Sequence, residues 1–256
     1  MILRIGHSIS AEATSGEDAW PAFVRTQQLP PGSTVAGCIS QPAHAALAAQ
    51  LAKALKPEIF GPLRPEVIDA IGGHDAGWAE SDLAALEAAG TKQPQSFVAS
   101  PAKSAVNAWR KSIREAEALS ALAGILTSRH FCLLAPRDGD PHHAAFVEEE
   151  TQRRVPQEAA SSIPRTDLDR FTAALGFCDL VSLCLCSGLP DAIQIRLAHA
   201  ADPAAQHASR VTVSLAEQTL RFNQPAMTSG AVVYVEGWIV YAPKVLASHR
   251  LQWTIG

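Results

Sequence analysis

The sequence predicts an α+β fold that is mainly helical, with short N-terminal strands and a C-terminal antiparallel sheet. Three observations carry that expectation. Apolar residues recur at helical spacing between Gln41 and Ser187. They alternate with period two in later segments: Ile193 to Leu197, Arg210 to Leu215, Thr219 to Phe222, Val232 to Tyr241 and Leu251 to Ile255. The composition is that of an ordinary globular chain, 256 residues with 47% hydrophobic and 18% charged, which buries a full core without a disulfide or structural metal.

In chain order, residues 1–5 read as a short strand, and Ser8 to Ser33, polar and bearing Pro and Gly, as a long loop. Thr34 to Ile39 is a second strand. Ser40-Gln41-Pro42 supplies an N-cap and an early proline, and Ala43 to Lys56 continues the helix. A second helix opens at Pro65 and reaches about Gly77. Pro101 to Leu134 is helical with a break near Ser120, Pro136 to Pro141 is a loop, Ala144 to Arg154 a shorter polar helix, and Asp167 to Ser187 a long apolar one. The N-terminal strands are free to join the C-terminal sheet.

Charge and motifs exclude several function classes. Lys+Arg 21 against Asp+Glu 25 gives a net charge of −4, the wrong balance for neutralising a nucleic-acid backbone. Met1 to His7 lacks the cationic and apolar regions of a signal peptide, so the chain is expected in the cytoplasm. The most apolar windows, Ala173 to Cys186 and Ala231 to Ala242, are interrupted by Asp179 and by Glu236-Gly237. Both fall short of the ~20 residues of a membrane span. Five cysteines suit reduced core thiols, and Cys184-x-Cys186 is too tight for zinc. There is no Gly-x-Ser-x-Gly elbow, P-loop or dinucleotide fingerprint.

The informative residues are polar ones on apolar stripes. His44 shares a face with Leu47, Leu51 and Leu55; His74 and Asp75 follow the Val67, Ile68, Ile71 stripe; His130 follows Leu119, Leu122 and Leu126. Asp179 lies on the Leu168, Phe171, Leu175, Ser182, Cys186 stripe, where an ionised carboxylate must be paired or bound to a cation. One buried histidine is more often a hydrogen-bonded core residue than a ligand. Five such residues on four helices instead suggest imidazoles and carboxylates converging on a divalent cation. Gly72-Gly73 removes side-chain bulk where a close approach is needed.

The order His44, His74-Asp75, Asp179 resembles the H…HD…D signature of the HD superfamily of metal-dependent phosphohydrolases. Gln41-Pro42-Ala43-His44-Ala45, His74-Asp75-Ala76-Gly77-Trp78, Ser128-Arg129-His130 and Asp179-Leu180-Val181-Ser182-Leu183 together resemble an uncharacterised bacterial family related to it. The likeness covers Thr34 to Leu189 and implies an HD-domain-like helical core. Residues 1–190 would form the metal-binding domain and 191–256 strands packed on it. It also implies that His44, His74, Asp75 and Asp179 ligate a first ion, with Asp75 able to bridge to a second. His130 would be an added ligand, with His142 or His143 as a further candidate.

That resemblance implies one or two divalent transition metals (Fe, Mn, Zn, Ni or Co) activating water against a small phosphate ester or nucleotide, with Asp75 positioning or deprotonating it. Arg64, Lys103, Arg110, Arg129 and Arg137 are candidate phosphate-orienting cations; Arg129 is favoured because it adjoins His130. Catalytic residues would then be Asp75, His130 and Arg129, and the partner a small anionic molecule, with neither nucleic acid nor membrane. Two other classes stay open: a di-iron oxygenase on the same ligand set, like myo-inositol oxygenase, and a non-catalytic metal-binding or ligand-sensing protein. The C-terminal strands, bearing Tyr234, Trp238, Tyr241 and Trp253, are open to core packing, a substrate cleft or a homodimer edge.

Overall fold

The computed structural model describes residues 1–4, 35–88, 95–136, 139–188, 192–196, 210–241 and 246–256. The expected loop from Ser8 to Ser33 lies outside the described residues, as does Arg137. Strands β1 (Ile2–Arg4) and β2 (Val35–Ile39) lead into α1 (Gln41–Ala54), α2 (Pro57–Phe60) and α3 (Pro65–Gly73). A single 3-10 turn (Ala76–Trp78), α4 (Ala79–Ala88) and a second such turn (Phe97–Ala99) follow. The helical part ends with α5 (Ala102–Leu119), α6 (Ala121–Leu134), α7 (Pro141–Ala160) and α8 (Arg165–Ser187). Strands β3 (Ala192–Arg196), β4 (Arg210–Ala216), β5 (Thr219–Phe222), β6 (Val232–Tyr241) and β7 (Leu246–Ile255) complete the described chain. The fold is α+β and mainly helical.

Local chemistry sets the helix starts. Ser40 Oγ accepts from Ala43 N at 3.2 Å, Ser120 Oγ from Ala123 N at 3.0 Å, and an Asp140 carboxylate oxygen from His142 N at 2.8 Å. The break expected near Ser120 is therefore a cap between α5 and α6. Helix α7 is longer than the sequence reading and passes through Pro156, because ion pairs Arg153–Glu117, Arg153–Glu150 and Arg154–Glu158 tie down its second half. The helix also starts earlier than the expected Ala144, so His142 and His143 sit on its first turn. Leu119, expected on the stripe leading to His130, ends α5 and is 63% exposed. Leu122 and Leu126 of α6 carry the buried stripe instead.

The strands form one seven-stranded sheet in the order β1-β2-β6-β7-β5-β4-β3, so both N-terminal strands join it. The expectation of an antiparallel sheet needs correcting at one place. Strand β5 pairs with β7 in parallel, Thr219 opposite Thr254 and Leu220 opposite Ile255. Period-two alternation fixes which face is buried but not which way a strand runs. Ile193, Ile195, Val211, Val213, Leu220, Val233, Val235, Trp253 and Ile255 share one continuous core with the helices, a helix layer on one sheet face.

Helix α1 is stitched to the sheet region at its end, Lys56 N to Ala226 O at 2.9 Å and Thr228 N to Ala54 O at 2.8 Å. Gln50, on the same helix, pairs its amide with the main chain of Tyr234, Oε1 accepting at 3.0 Å and Nε2 donating at 2.9 Å. Helix α8 is long and apolar enough by length and composition to cross a membrane, which the sequence windows missed because the helix starts at Arg165. Some 78% of its most apolar stretch is buried inside the protein.

The close approach of chain to chain is sharpest at Gly77, whose N–H donates to Ser112 Oγ at 2.9 Å. A Cβ there would collide with the Ala108 carbonyl and the Ser112 backbone. Gly77→Ala is expected to lower stability by about 3 kcal/mol, read as the shift of the denaturant midpoint; an unchanged midpoint would show that α5 can retreat.

Candidate metal centre

Four helices bring the polar residues together. Helix α1 packs on α3 and α8, α6 packs on α3 and α8, and α3 also touches α8. His44 faces inward from α1, His130 from α6 and Asp179 from α8, and all are buried. His74 and Asp75 depend on where α3 stops. The helix runs only to Gly73, His74 caps it with φ −58° and ψ −28°, and Asp75 leaves helical geometry at φ −109° and ψ 17°. The expected helix to Gly77 is thus interrupted at the doublet. That interruption turns two adjacent side chains toward one volume, where a continuous helix would spread them by about 100°. Gly72 lets α3 lie close on α1, since a Cβ there would already stand 3.1 Å from Ala49 Cβ.

The ligand-type atoms lie close together. His44 Nε2 is 2.7 Å from Asp75 Oδ2 and 3.8 Å from Asp179 Oδ1. His74 Nε2 is 3.5 Å from Asp75 Oδ2 and 3.3 Å from Asp179 Oδ1. His130 Nε2 is 3.4 Å from the other carboxylate oxygen, Asp179 Oδ2. Ligands ~2.1 Å from one tetrahedral ion stand roughly 3.4 Å apart, which the 3.3–3.5 Å separations of His74 and His130 from the carboxylates match, whereas the 2.7 Å between His44 and Asp75 is a direct hydrogen bond. His74 belongs to both three-residue groups that could hold one, His44-His74-Asp75 and His74-His130-Asp179. Its ring stands nearly perpendicular to those of His44 and His130, with centroids 5.2 and 5.3 Å away.

The proton positions favour a cation as well. His74 Nδ1 donates to the Ile71 carbonyl at 2.7 Å, which leaves Nε2 as the nitrogen facing the carboxylates. His74 Nε2 and His130 Nε2 are buried and have no hydrogen-bond partner among the described residues, a costly state for a polar atom unless something binds there. Three imidazoles and two carboxylates form a donor set suited to borderline transition metals.

Asp179, whose two oxygens face different imidazoles, has the two-sided placement that the resemblance assigned to Asp75. His142 is exposed, and His143 is stacked on Trp109 with centroids 5.7 Å apart; neither belongs to the groups. Arg129 points elsewhere, its Nε donating to Thr172 Oγ1 at 3.0 Å and its other nitrogens paired with Glu158 and Asp169. Arg64 pairs with Glu66, Arg110 pairs with Glu149, and Lys103 is exposed. The described cysteines are free. Burial foremost, with the charge of Asp179, pushes the Cys178 thiol up and keeps it protonated. Sequence reasoning placed Ser182 on the buried stripe without a role, yet its Oγ lies 2.8 Å from His44 Nδ1. Its only signal was standing three residues after Asp179. The Ile71 carbonyl, being backbone, gave none.

The family model for "Protein of unknown function (DUF3891)" matches residues 33–245, and the chain belongs to that family. The match runs past the helical region into the C-terminal strands. No curated protein and no solved structure matches the chain.

Burial by itself lowers the pKa of His74; the Asp75 and Asp179 carboxylates and the Ile71 carbonyl together outweigh it and push it up to about 9. Burial likewise opposes the charged form of Asp179, and the His130 and His74 imidazoles reverse this, holding the carboxyl well below the usual range. Because the folded value of His74 exceeds the unfolded ~6.5, its contribution is complete below about pH 6.5 and is lost as pH rises through about 9. Metal-free protein is expected to lose thermal stability across that window, and His74→Gln to flatten the slope. A parent melting temperature constant over the window would contradict this.

Proposed function

We propose that this member of the family is a metal-dependent phosphohydrolase of the HD type, acting on a small phosphate ester or nucleotide. The observation that carries the reading is the interior convergence of His44, His74, Asp75 and Asp179, in H…HD…D order, with the buried Nε2 of His74 lacking a hydrogen-bond partner among the described residues. A bound Fe, Mn, Zn, Ni or Co ion would supply a water acidified toward neutrality and positive charge to set against phosphoryl oxygens. His44, His74, Asp75 and Asp179 would hold it. Asp75 has the least enclosed side chain of these, 8% exposed against 4% for Asp179, and so is the carboxylate best placed to take the proton of an attacking water. His130, whose Nε2 stands 3.4 Å from the second oxygen of Asp179, would be the added ligand.

One observation favours a second reading. The two overlapping groups share His74, and Asp179 offers one oxygen to each side, an arrangement that also suits two irons in a dioxygen-activating enzyme.

Elemental analysis of the purified protein, paired with hydrolysis of an aryl phosphate, tests the proposal. Bound metal and turnover are expected, with His74→Ala and Asp179→Ala each losing the metal and lowering turnover at least ~100-fold. Iron with a mixed-valent optical signature and no phosphatase activity would transfer the site to the oxygenase reading. Variants that merely melt earlier, with metal content and activity unchanged, would make the cluster a structural or sensing device. Arg129→Ala is expected to lower stability by ~1–3 kcal/mol through its stranded carboxylates while leaving the metal content intact; loss of metal in that variant would return Arg129 to the site.

A further inference from the structure

His44 and His74 are oriented in different ways. The ring of His74 is fixed by a backbone carbonyl three residues upstream, which no substitution at that position removes. The ring of His44 is fixed by a side chain from another helix, Ser182 of α8, which is fully buried.

The direction of that bond follows from its neighbour. Ser182 Oγ lies 2.8 Å from the Asp179 carbonyl oxygen and donates its only proton there. The hydroxyl therefore faces His44 with a lone pair, and the 2.8 Å contact to Nδ1 requires the proton to sit on Nδ1. His44 Nε2 then turns its lone-pair side to Asp75 Oδ2 at 2.7 Å. Two such acceptor atoms hold that separation with a proton between them, the proton a cation would replace. A serine bonded back to its own helix would already be satisfied; the second contact, to a ring 138 residues away in sequence, is what that account leaves over.

We propose that Ser182 is a positioning residue of the metal centre: it fixes His44 in the Nδ1–H form, presents Nε2 to the cation and, through the Asp179 carbonyl, ties the ligand of α1 to the ligand of α8. The proposal rests on the metal-centre reading for its effect on affinity, but not for the proton position. Outer partners of this kind typically tune metal affinity about 10- to 100-fold.

The test uses the full chain with 15N-labelled histidine. Ring-nitrogen spectra of the metal-free parent are expected to show His44 protonated at Nδ1. In Ser182→Ala that proton should be lost or exchange freely, with Co2+ affinity, measured by competition with a chelating dye, reduced about 10- to 100-fold. Ser182→Thr, which keeps the hydroxyl, should restore both. A parent His44 lacking a proton on Nδ1 overturns the proposal, and so does a folded Ser182→Ala with unchanged ring signals and Co2+ affinity. Should Ser182→Ala fail to fold, the parent spectrum and the threonine variant still decide. A parent that binds no Co2+ would defeat the metal centre alone, since the ring spectra would then read the role of Ser182 separately.

Discussion

A carboxylate in the middle of Phe177-Cys178-Asp179-Leu180-Val181 is the constraint around which the helical layer is organised. Asp179 is 3% exposed, and the penalty for an unpaired ion at such depth is several kcal/mol. Its oxygens are met by His74 on one side and His130 on the other, which obliges α3 and α6 to flank α8. Asp75 adds a second carboxylate and engages His44, so α1 closes the group. Helices that hold a large part of the apolar core are thus the same ones that converge to compensate one charge.

No described guanidinium pairs with Asp75 or Asp179. Arg129, Arg153 and Arg154 are taken up by Glu117, Glu150, Glu158 and Asp169. The described contacts of the buried carboxylates at the centre are with imidazoles instead. That separation explains why adjacency misled at Ser128-Arg129-His130. Neighbours on a helix diverge by about 100°, so the residue beside a buried histidine faces another partner, here Glu158 and Asp169.

Much of the fold and the convergence of the candidate site were legible in the sequence for identifiable reasons. Stripe positions placed His44, His130 and Asp179 inside, because amphipathic spacing reports burial directly. Ser40 and the break at Ser120 could be read because capping chemistry is local. The interruption of α3 at His74 was not legible: Gly72-Gly73 marks a weak point, but the close approach of Ala49 to Gly72 and of Ala108 and Ser112 to Gly77 comes from helices distant in sequence. The parallel pairing of β5 with β7 and the inward turn of Ser182 toward His44 are long-range facts of the same kind. Leu119 showed the reverse error, an apolar residue at the right spacing on the wrong helix.

The Gln50 amide on Tyr234 bears on the sheet's outer boundary. Strand β2 covers β6 only from Trp238 to Tyr241, so the stretch of β6 before it would otherwise present bare N–H and C=O groups, a template onto which a foreign strand could zip. One glutamine imitates the missing strand at that point, offering an acceptor and a donor in the geometry of a β-ladder. Because Gln50 and His44 ride on the same short helix, the group that seals the sheet and the group that faces the carboxylates are parts of one rigid lever, anchored at one end to β6 and at the other to the buried charge.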